Sequence, residues 1–178
     1  VEGKEVKDIA NYGTLNTTRV ITKSSNVGAS KIALTIGHEA IRDVLERVGM
    51  GQVTGTGFPG ERGGVLPNHR RWSGIETATL SFGYGLSTTA LQLAQAYSVI
   101  ADGGIRKPVS LIKLDAKAIE ELPRDQVLSE IISNQVLAML ETVVDPSRGG
   151  SARDARVPFY KVAGKTGTVH VVGEFGYQ

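Results

Sequence analysis

Lys165-Thr166-Gly167-Thr168 sets a cation, a hydroxyl, a glycine and a second hydroxyl in succession. The four residues stand inside Val157–Val172, a segment that reads as one strand or a bent pair of strands. A strand edge of this composition can hold a carboxylate beside a carbonyl under attack. Lysine supplies a fixed positive charge, threonine supplies hydrogen bonds, and glycine clears the backbone where a ligand or a neighbouring chain comes close. Far upstream, Ser24-x-Asn26 offers a hydroxyl and an amide between two apolar-periodic segments. A hydroxyl near a lysine charge can pass a proton, and an amide both accepts and donates. Taken singly, Ser24 reads as a helix cap and Lys165 as a solvated edge lysine. Only a fold that brings the two ends of the chain together makes them chemistry.

The elements that must do so follow from pattern. Thr14 is placed to cap a short helix through about Thr22, with Leu15 and Ile21 inward. After Ser24-Ser25-Asn26 a second helix runs to about Ile36 and stops at Gly37. Ile41, Val44, Leu45 and Val48 fit the i, i+3, i+4, i+7 spacing of an amphipathic helix that ends at Gly49. Residues 49–74 are rich in glycine, contain Pro59, Pro67 and Trp72, and read as a long loop of the kind that carries function. Residues 75–80 stay open between helix and strand, and Ser81-Phe82-Gly83-Tyr84-Gly85 is a turn. Ser87 or Thr88 then caps a helix through about Ala101, with Ala90, Ala94, Tyr97 and Ala101 on its packed face. Val109–Leu114 reads as a strand, 133–144 as a helix with Val136, Leu137, Leu140 and Val144 inward, and 145–151 as a turn. Helices outnumber strands, and the strands gather in the C-terminal third. The expected class is α+β, a mixed or antiparallel sheet flanked by helices.

Composition narrows the function. The 178 residues are 40% hydrophobic and 21% charged, enough for a globular core. A net charge of +2, with both signs interspersed, gives no footprint for nucleic acid. Cysteine is absent, which excludes disulfides and thiolate metal sites. His38, His69 and His170 lack metal-ligand spacing and read as structural or exposed. No metal or organic cofactor is implied. Glu61 and Arg62 read as loop-stabilising charges, Trp72 as a packing anchor, and Arg148, Arg153 and Arg156 as a solvated face. No apolar run is long enough to span a membrane, and no charged-then-apolar leader opens the chain. The start at Val1 and the stop at Gln178, just after the motif-bearing strand, create the expectation of a piece cut at both ends whose last strand needs a hairpin partner further on.

Lysine-threonine-glycine and serine-x-asparagine are two elements of the penicillin-binding proteins and related β-lactamases. Three further stretches carry the resemblance: Ser24-Ser25-Asn26-Val27-Gly28; Phe58-Pro59-Gly60-Glu61 followed by Leu66-Pro67; and Phe82-Gly83-Tyr84-Gly85 leading into Thr89–Tyr97 and Asp102-Gly103-Gly104. In order and spacing the chain resembles the transpeptidase domain of the class B penicillin-binding proteins, most of all the division-specific FtsI type, over nearly its whole length. The family's serine-x-x-lysine element, which in the family lies upstream of serine-x-asparagine, is read as missing: Ser30-Lys31 and Thr22-Lys23 do not have its spacing. The resemblance therefore implies that 1–178 is the C-terminal part of the domain and that the acylated serine lies outside it.

The resemblance further implies a substrate, the peptidoglycan stem peptide ending in D-alanyl-D-alanine, and covalent inhibition by β-lactams. It implies that Lys165, Thr166 and Thr168 hold the terminal carboxylate and that the N–H of Thr168 forms half of an oxyanion hole. Ser24 relays a proton toward the leaving amine. Asn26 orients the missing lysine and a substrate amide. Gly167 keeps the groove open, and Tyr84 forms an aromatic wall or packs on Trp72. The implied partners are a lipid-II polymerase and division proteins, at the periplasmic face of the inner membrane under an N-terminal anchor. Two competitors remain at this point: a carboxypeptidase or β-lactamase-like sensor of the same fold, and a non-catalytic binding module.

Overall fold

The computed structural model describes residues 1–69 and 71–168, together with the backbone of 172–173 and 176–177. The chain forms two compact units. The first comprises Val1–Leu34, Ser73–Tyr84 and Met139–Gln178; the second comprises Thr35–Trp72 and Gly85–Ala138.

In the first unit, α1 (Thr17–Lys23) is capped by Asn16 and not by Thr14: the Asn16 carboxamide oxygen accepts the Arg19 N–H at 2.9 Å. Asparagine here stands three residues before an orphan N–H, the reach a cap requires. The helix α2 (Asn26–Ile36) stops where Gly37 turns to φ +84°. Residues 75–80 are helical. The helix α4 (Gly74–Leu80) starts on a capping box between Ser73 and Glu76, and the Glu2 carboxylate accepts the N–H groups of Gly74 and Ile75. The C-terminal half of α7 (Glu130–Val144) contributes Leu140, Val143 and Val144 to the apolar interior of this unit, which also holds Val20, Ala33, Ala78 and Leu80. A short 3-10 turn, Pro146–Arg148, follows under an Asp145 cap.

Over the described part of the expected strand Val157–Val172, residues 157–168 form no strand, and Val172 belongs to a short one. Residues 157–168 run as irregular chain, because a strand exists only through a ladder partner and no described strand lies beside them. Further on, β3 (Val172–Gly173) pairs antiparallel with β4 (Gly176–Tyr177).

The second unit packs α3 (His38–Arg47), α5 (Ala90–Ala101) and the loop between them around Val48, Met50, Ala96 and Val99, flanked by Leu45, Leu66, Val127 and Leu128. Val44, expected inward, is exposed. The cap of α5 is Thr89 rather than Ser87 or Thr88, and its buried face is Gln92, Ala96 and Val99. Ala90, Ala94, Tyr97 and Ala101 are on the exposed side.

The rotation of α5 has a polar cause. The Gln92 side chain is fully buried; its Nε2 donates to the carbonyls of Gln52 at 2.6 Å and Gly63 at 2.7 Å, and its Oε1 accepts the Thr89 N–H at 2.8 Å. This one amide ties both arms of the glycine-rich loop to the helix. Glu61 completes the loop by accepting the backbone N–H and hydroxyl of both Thr54 and Thr56. Trp72 anchors the loop's end between two rings, stacked on His38 at 5.0 Å and tilted to His69 at 5.1 Å. His170 and Arg70 lie outside the described residues.

The strand expected at Val109–Leu114 is also missing. Pairing occurs earlier, between β1 (Ile105–Arg106) and β2 (Asp125–Gln126). Gly104 decides this: any Cβ there would sit 2.1 Å from the Leu128 carbonyl oxygen, and the Gly104 carbonyl accepts the N–H groups of Val127 and Leu128. Pro108 then removes a ladder donor. Between the two strands, α6 (Ala116–Glu120) forms on an Asp115 cap. Of the described strands only β1 precedes the C-terminal third, where the sequence places most of them. Among the described residues no helix is long and apolar enough to cross a membrane.

Candidate active site

The site is built in the first unit where α1 ends. Ser24 terminates α1 in the left-handed region, φ 55° and ψ 46°, a conformation usually left to glycine. Its N–H bonds back to Ile21, and the N–H of Ser25 bonds to Val20. The sharp turn points Ser24 outward, exposed, while Ser25 is buried.

Ser25 is the pivot of the next helix. Its Oγ accepts the Gly28 N–H at 2.8 Å and donates to Asp8 Oδ2 at 2.6 Å; Asp8 Oδ1 accepts the Val27 N–H at 3.0 Å. A hydroxyl and a carboxylate thus satisfy the first free donors of α2, and the carboxylate faces the positive end of the helix. Gly28 is required by packing: a Cβ there would come within 2.6 Å of Val20 Cγ2. Asn26 opens α2 half-buried, and among the described residues its amide makes no hydrogen bond.

The opposite wall hangs from the end of α7. Helix C-termini leave carbonyls unpaired. Here Val143 O accepts the Ala152 N–H at 3.0 Å and Leu140 O accepts the Gly164 N–H at 3.4 Å. Only glycine fits at 150, where a Cβ would meet Val143 O at 2.1 Å. Lys23, at the last turn of α1, donates to the Gly149 carbonyl at 2.8 Å. Gly164 hands the chain directly to the motif.

There Lys165 Nζ donates to Ser24 Oγ at 2.7 Å, to the Thr166 carbonyl at 3.0 Å and to Thr166 Oγ1 at 3.3 Å. All three ammonium donors are directed. Since an ammonium only donates, Ser24 Oγ accepts, and the Ser24 proton is left free to point at a ligand. Burial lowers the Lys165 pKa from its ordinary 10.5. Thr166, Gly167 and Thr168 form an exposed edge, and no described residue accepts the Thr168 N–H. A Cβ at Gly167 would meet nothing within 4 Å. The chain itself does not demand glycine there, and the space is open to a ligand.

Of the residues singled out in the sequence, Ser24, Lys165 and Thr166 are joined directly. Asn26 and Thr168 are held one or two residues away on the same two segments. Tyr84 stands on the turn after α4, with its ring edge-on to Phe82 at 5.8 Å. Asp8, Lys23 and Ser151 are supporting residues that the motifs did not reveal, and Ser25, inside the Ser24–Gly28 stretch, was given no role there.

One literal serine-x-x-lysine spacing exists, Ser110-Leu111-Ile112-Lys113, in the second unit. It lies on irregular chain, and the Ser110 hydroxyl is spent locally on the carbonyl and N–H of Ile112. A nucleophile and a lysine three residues apart face one another on a helix; here there is none, and Ser110 closes a loop.

The Penicillin binding protein transpeptidase domain family matches residues 1–178. The Escherichia coli peptidoglycan D,D-transpeptidase FtsI is 44% identical over 176 residues, covering 99% of this chain and 29% of that protein. The chain thus spans under a third of the length of the curated relatives it matches. The apo transpeptidase domain of Burkholderia pseudomallei penicillin-binding protein 3 superposes with a TM-score of 0.91 at 39% identity, over 100% of this chain and 53% of that one. Penicillin-binding protein 3 of Mycobacterium tuberculosis, solved with aztreonam, gives a TM-score of 0.83 at 36% identity, over 97% and 42%. The α+β class expected from the sequence is the fold of these neighbours, and the chain belongs to the penicillin-binding protein transpeptidase family.

Proposed function

We propose that residues 1–178 are the C-terminal part of a transpeptidase domain and that the complete protein crosslinks peptidoglycan stem peptides in septal wall synthesis, as a serine-type D,D-transpeptidase acylated by β-lactams. The observation that carries this reading is the Lys165–Ser24 hydrogen bond beside the open edge 166–168. The names of the relatives, and the aztreonam held by one of them, point the same way.

In this reading the terminal carboxylate of D-alanyl-D-alanine lies along Thr166–Thr168, paired with the Lys165 charge and the two threonine hydroxyls. A serine supplied outside residues 1–178 attacks the penultimate carbonyl. The resulting oxyanion takes the Thr168 N–H, a donor typically worth about 3–4 kcal/mol in the transition state. As the peptide C–N bond breaks, Ser24 passes its free proton to the departing D-alanine amine and recovers one from the nucleophile's side, with the Lys165 charge favouring the exchange. An acceptor amine then displaces the serine from the acyl ester. Asn26, whose amide makes no hydrogen bond among the described residues, orients the catalytic lysine and the substrate amide, and Tyr84 borders the groove. Placement at the periplasmic face, an N-terminal anchor, and work beside a lipid-II polymerase and division proteins complete the proposal.

Fluorescent penicillin tests it. The complete protein forms a covalent adduct stable to denaturation and, given donor and acceptor stem peptides, yields crosslinked dimers. No adduct overturns the proposal. An adduct that hydrolyses fast, with release of D-alanine but no dimer, shows a carboxypeptidase or β-lactamase-like enzyme instead.

A further inference from the structure

Ser151 lies on the loop that leaves α7, and its Oγ is 3.1 Å from Thr166 Oγ1. Nothing in the motifs points to it. The loop that carries it is fixed on three sides: Lys23 holds the Gly149 carbonyl, Gly150 is pressed against Val143 O, and Ala152 bonds to that same carbonyl. Ser151 is exposed, and among the described residues Thr166 is its one hydrogen-bond partner. A rigid loop therefore delivers a single hydroxyl to the outer side of Thr166.

The hydrogen count around Thr166 Oγ1 gives that contact a meaning. A hydroxyl has one proton and two lone pairs. One lone pair takes the Lys165 ammonium at 3.3 Å. If Ser151 donates into the other, the Thr166 proton is forced outward, toward the edge where an anion docks. If Thr166 donates to Ser151, its oxygen faces the anion without a proton. An arriving carboxylate accepts only, and selects the first arrangement.

Resting on the transpeptidase reading, we propose that Ser151 is a positioning residue that sets Thr166 as a hydrogen-bond donor to the substrate's terminal carboxylate. It contributes to recognition of the carboxylate and not to the chemistry at the carbonyl. A free carboxylate therefore feels its loss, and a carboxylate masked as an ester does not.

The test uses the complete transpeptidase and second-order acylation rates for benzylpenicillin and its methyl ester. Ser151→Ala lowers the rate for the acid by roughly 3- to 10-fold, the worth of one oriented hydrogen bond, and leaves the ester within about twofold. Ser151→Thr keeps the hydroxyl and restores the acid rate. A merely structural role would slow both compounds alike. Equal loss on acid and ester, or no loss on the acid, overturns the assignment of Ser151. The unmutated protein and Lys165→Ala are run beside it. If the former is acylated and the latter loses its acid preference, a null result at Ser151 falls on Ser151 alone. If the unmutated protein forms no adduct, the transpeptidase reading fails and this proposal fails with it.

Discussion

Lys165 and Ser24, 141 positions apart in the chain, are joined by a 2.7 Å hydrogen bond in which the ammonium donates and the seryl oxygen accepts. The bond fixes the direction of the Ser24 proton and keeps the charge at the edge where a carboxylate would lie. Both partners are held from behind: Ser24 by the left-handed end of α1, Lys165 by Gly164 docked on α7.

The pH dependence follows from the lysine. Burial lowers its pKa below 10.5, so it loses its charge at a lower pH than a free lysine. A neutral amine cannot pair with a carboxylate. Acylation by carboxylate-bearing β-lactams therefore falls on the alkaline side earlier than an unburied lysine would allow. Lys165→Arg, which stays charged, carries a lower rate but moves that limb upward; the rate profile from about pH 6 to about pH 11 shows it. In stability the sign is the reverse: the buried charge destabilises the fold below the folded-state pKa, and the penalty fades as pH rises from there through the unfolded value.

Asp8 joins the N-terminal segment to the serine-x-asparagine turn. Asp8→Ala removes the acceptor of the Ser25 hydroxyl and the Val27 N–H. It should cost about 1–2 kcal/mol in denaturant unfolding and slow acylation as Ser24 and Asn26 lose their support. Asp8→Asn retains one acceptor oxygen and falls between.

Gln92 is the polar centre of the second unit. Gln92→Leu removes the buried donor shared by the carbonyls of Gln52 and Gly63 and the acceptor of the Thr89 N–H. A loss of about 2–4 kcal/mol in urea unfolding is expected, and Gln92→Glu, which sets a carboxylate among carbonyl oxygens, loses more.

Glu61 gives an acid-side signature. The Thr54 hydroxyl, followed by Thr56 and the backbone donors of both, lowers its pKa from 4.5. Its contribution is present in full above the unfolded value and is lost as pH falls through the folded one. Glu61→Gln is therefore less stable than the parent at neutral pH, and the two unfolding midpoints converge in acid.

The sequence made the helices and the chemistry readable for a local reason. Ile41, Leu45 and Val48 sit at helical spacing, and Lys165-Thr166-Gly167 announces its residues by type. What it hid is non-local. Gln92 turned α5 by drawing its buried face toward two loop carbonyls, which the alanine stripe could not disclose. Gly104 moved the ladder to Ile105–Arg106 through an approach to Leu128 that no pattern within 109–114 contains. Residues 157–168 have strand composition but no described partner, and composition alone does not make a ladder. Ser151 and Asp8 became visible only as contacts across the chain. The one exact serine-x-x-lysine spacing, at Ser110, is a loop closure.

If Lys165 and Ser24 act as one unit in acylation, removing both costs little more than removing either. A double-mutant cycle on the complete protein measures this directly, through the second-order rate of acylation by fluorescent penicillin for Lys165→Ala, Ser24→Ala and the pair. Lys165→Ala should lower the rate by on the order of 100-fold, and adding Ser24→Ala should cost little more, because a broken unit cannot be broken twice. Losses that multiply across the two substitutions, or a Lys165→Ala rate equal to that of the parent, would contradict the account.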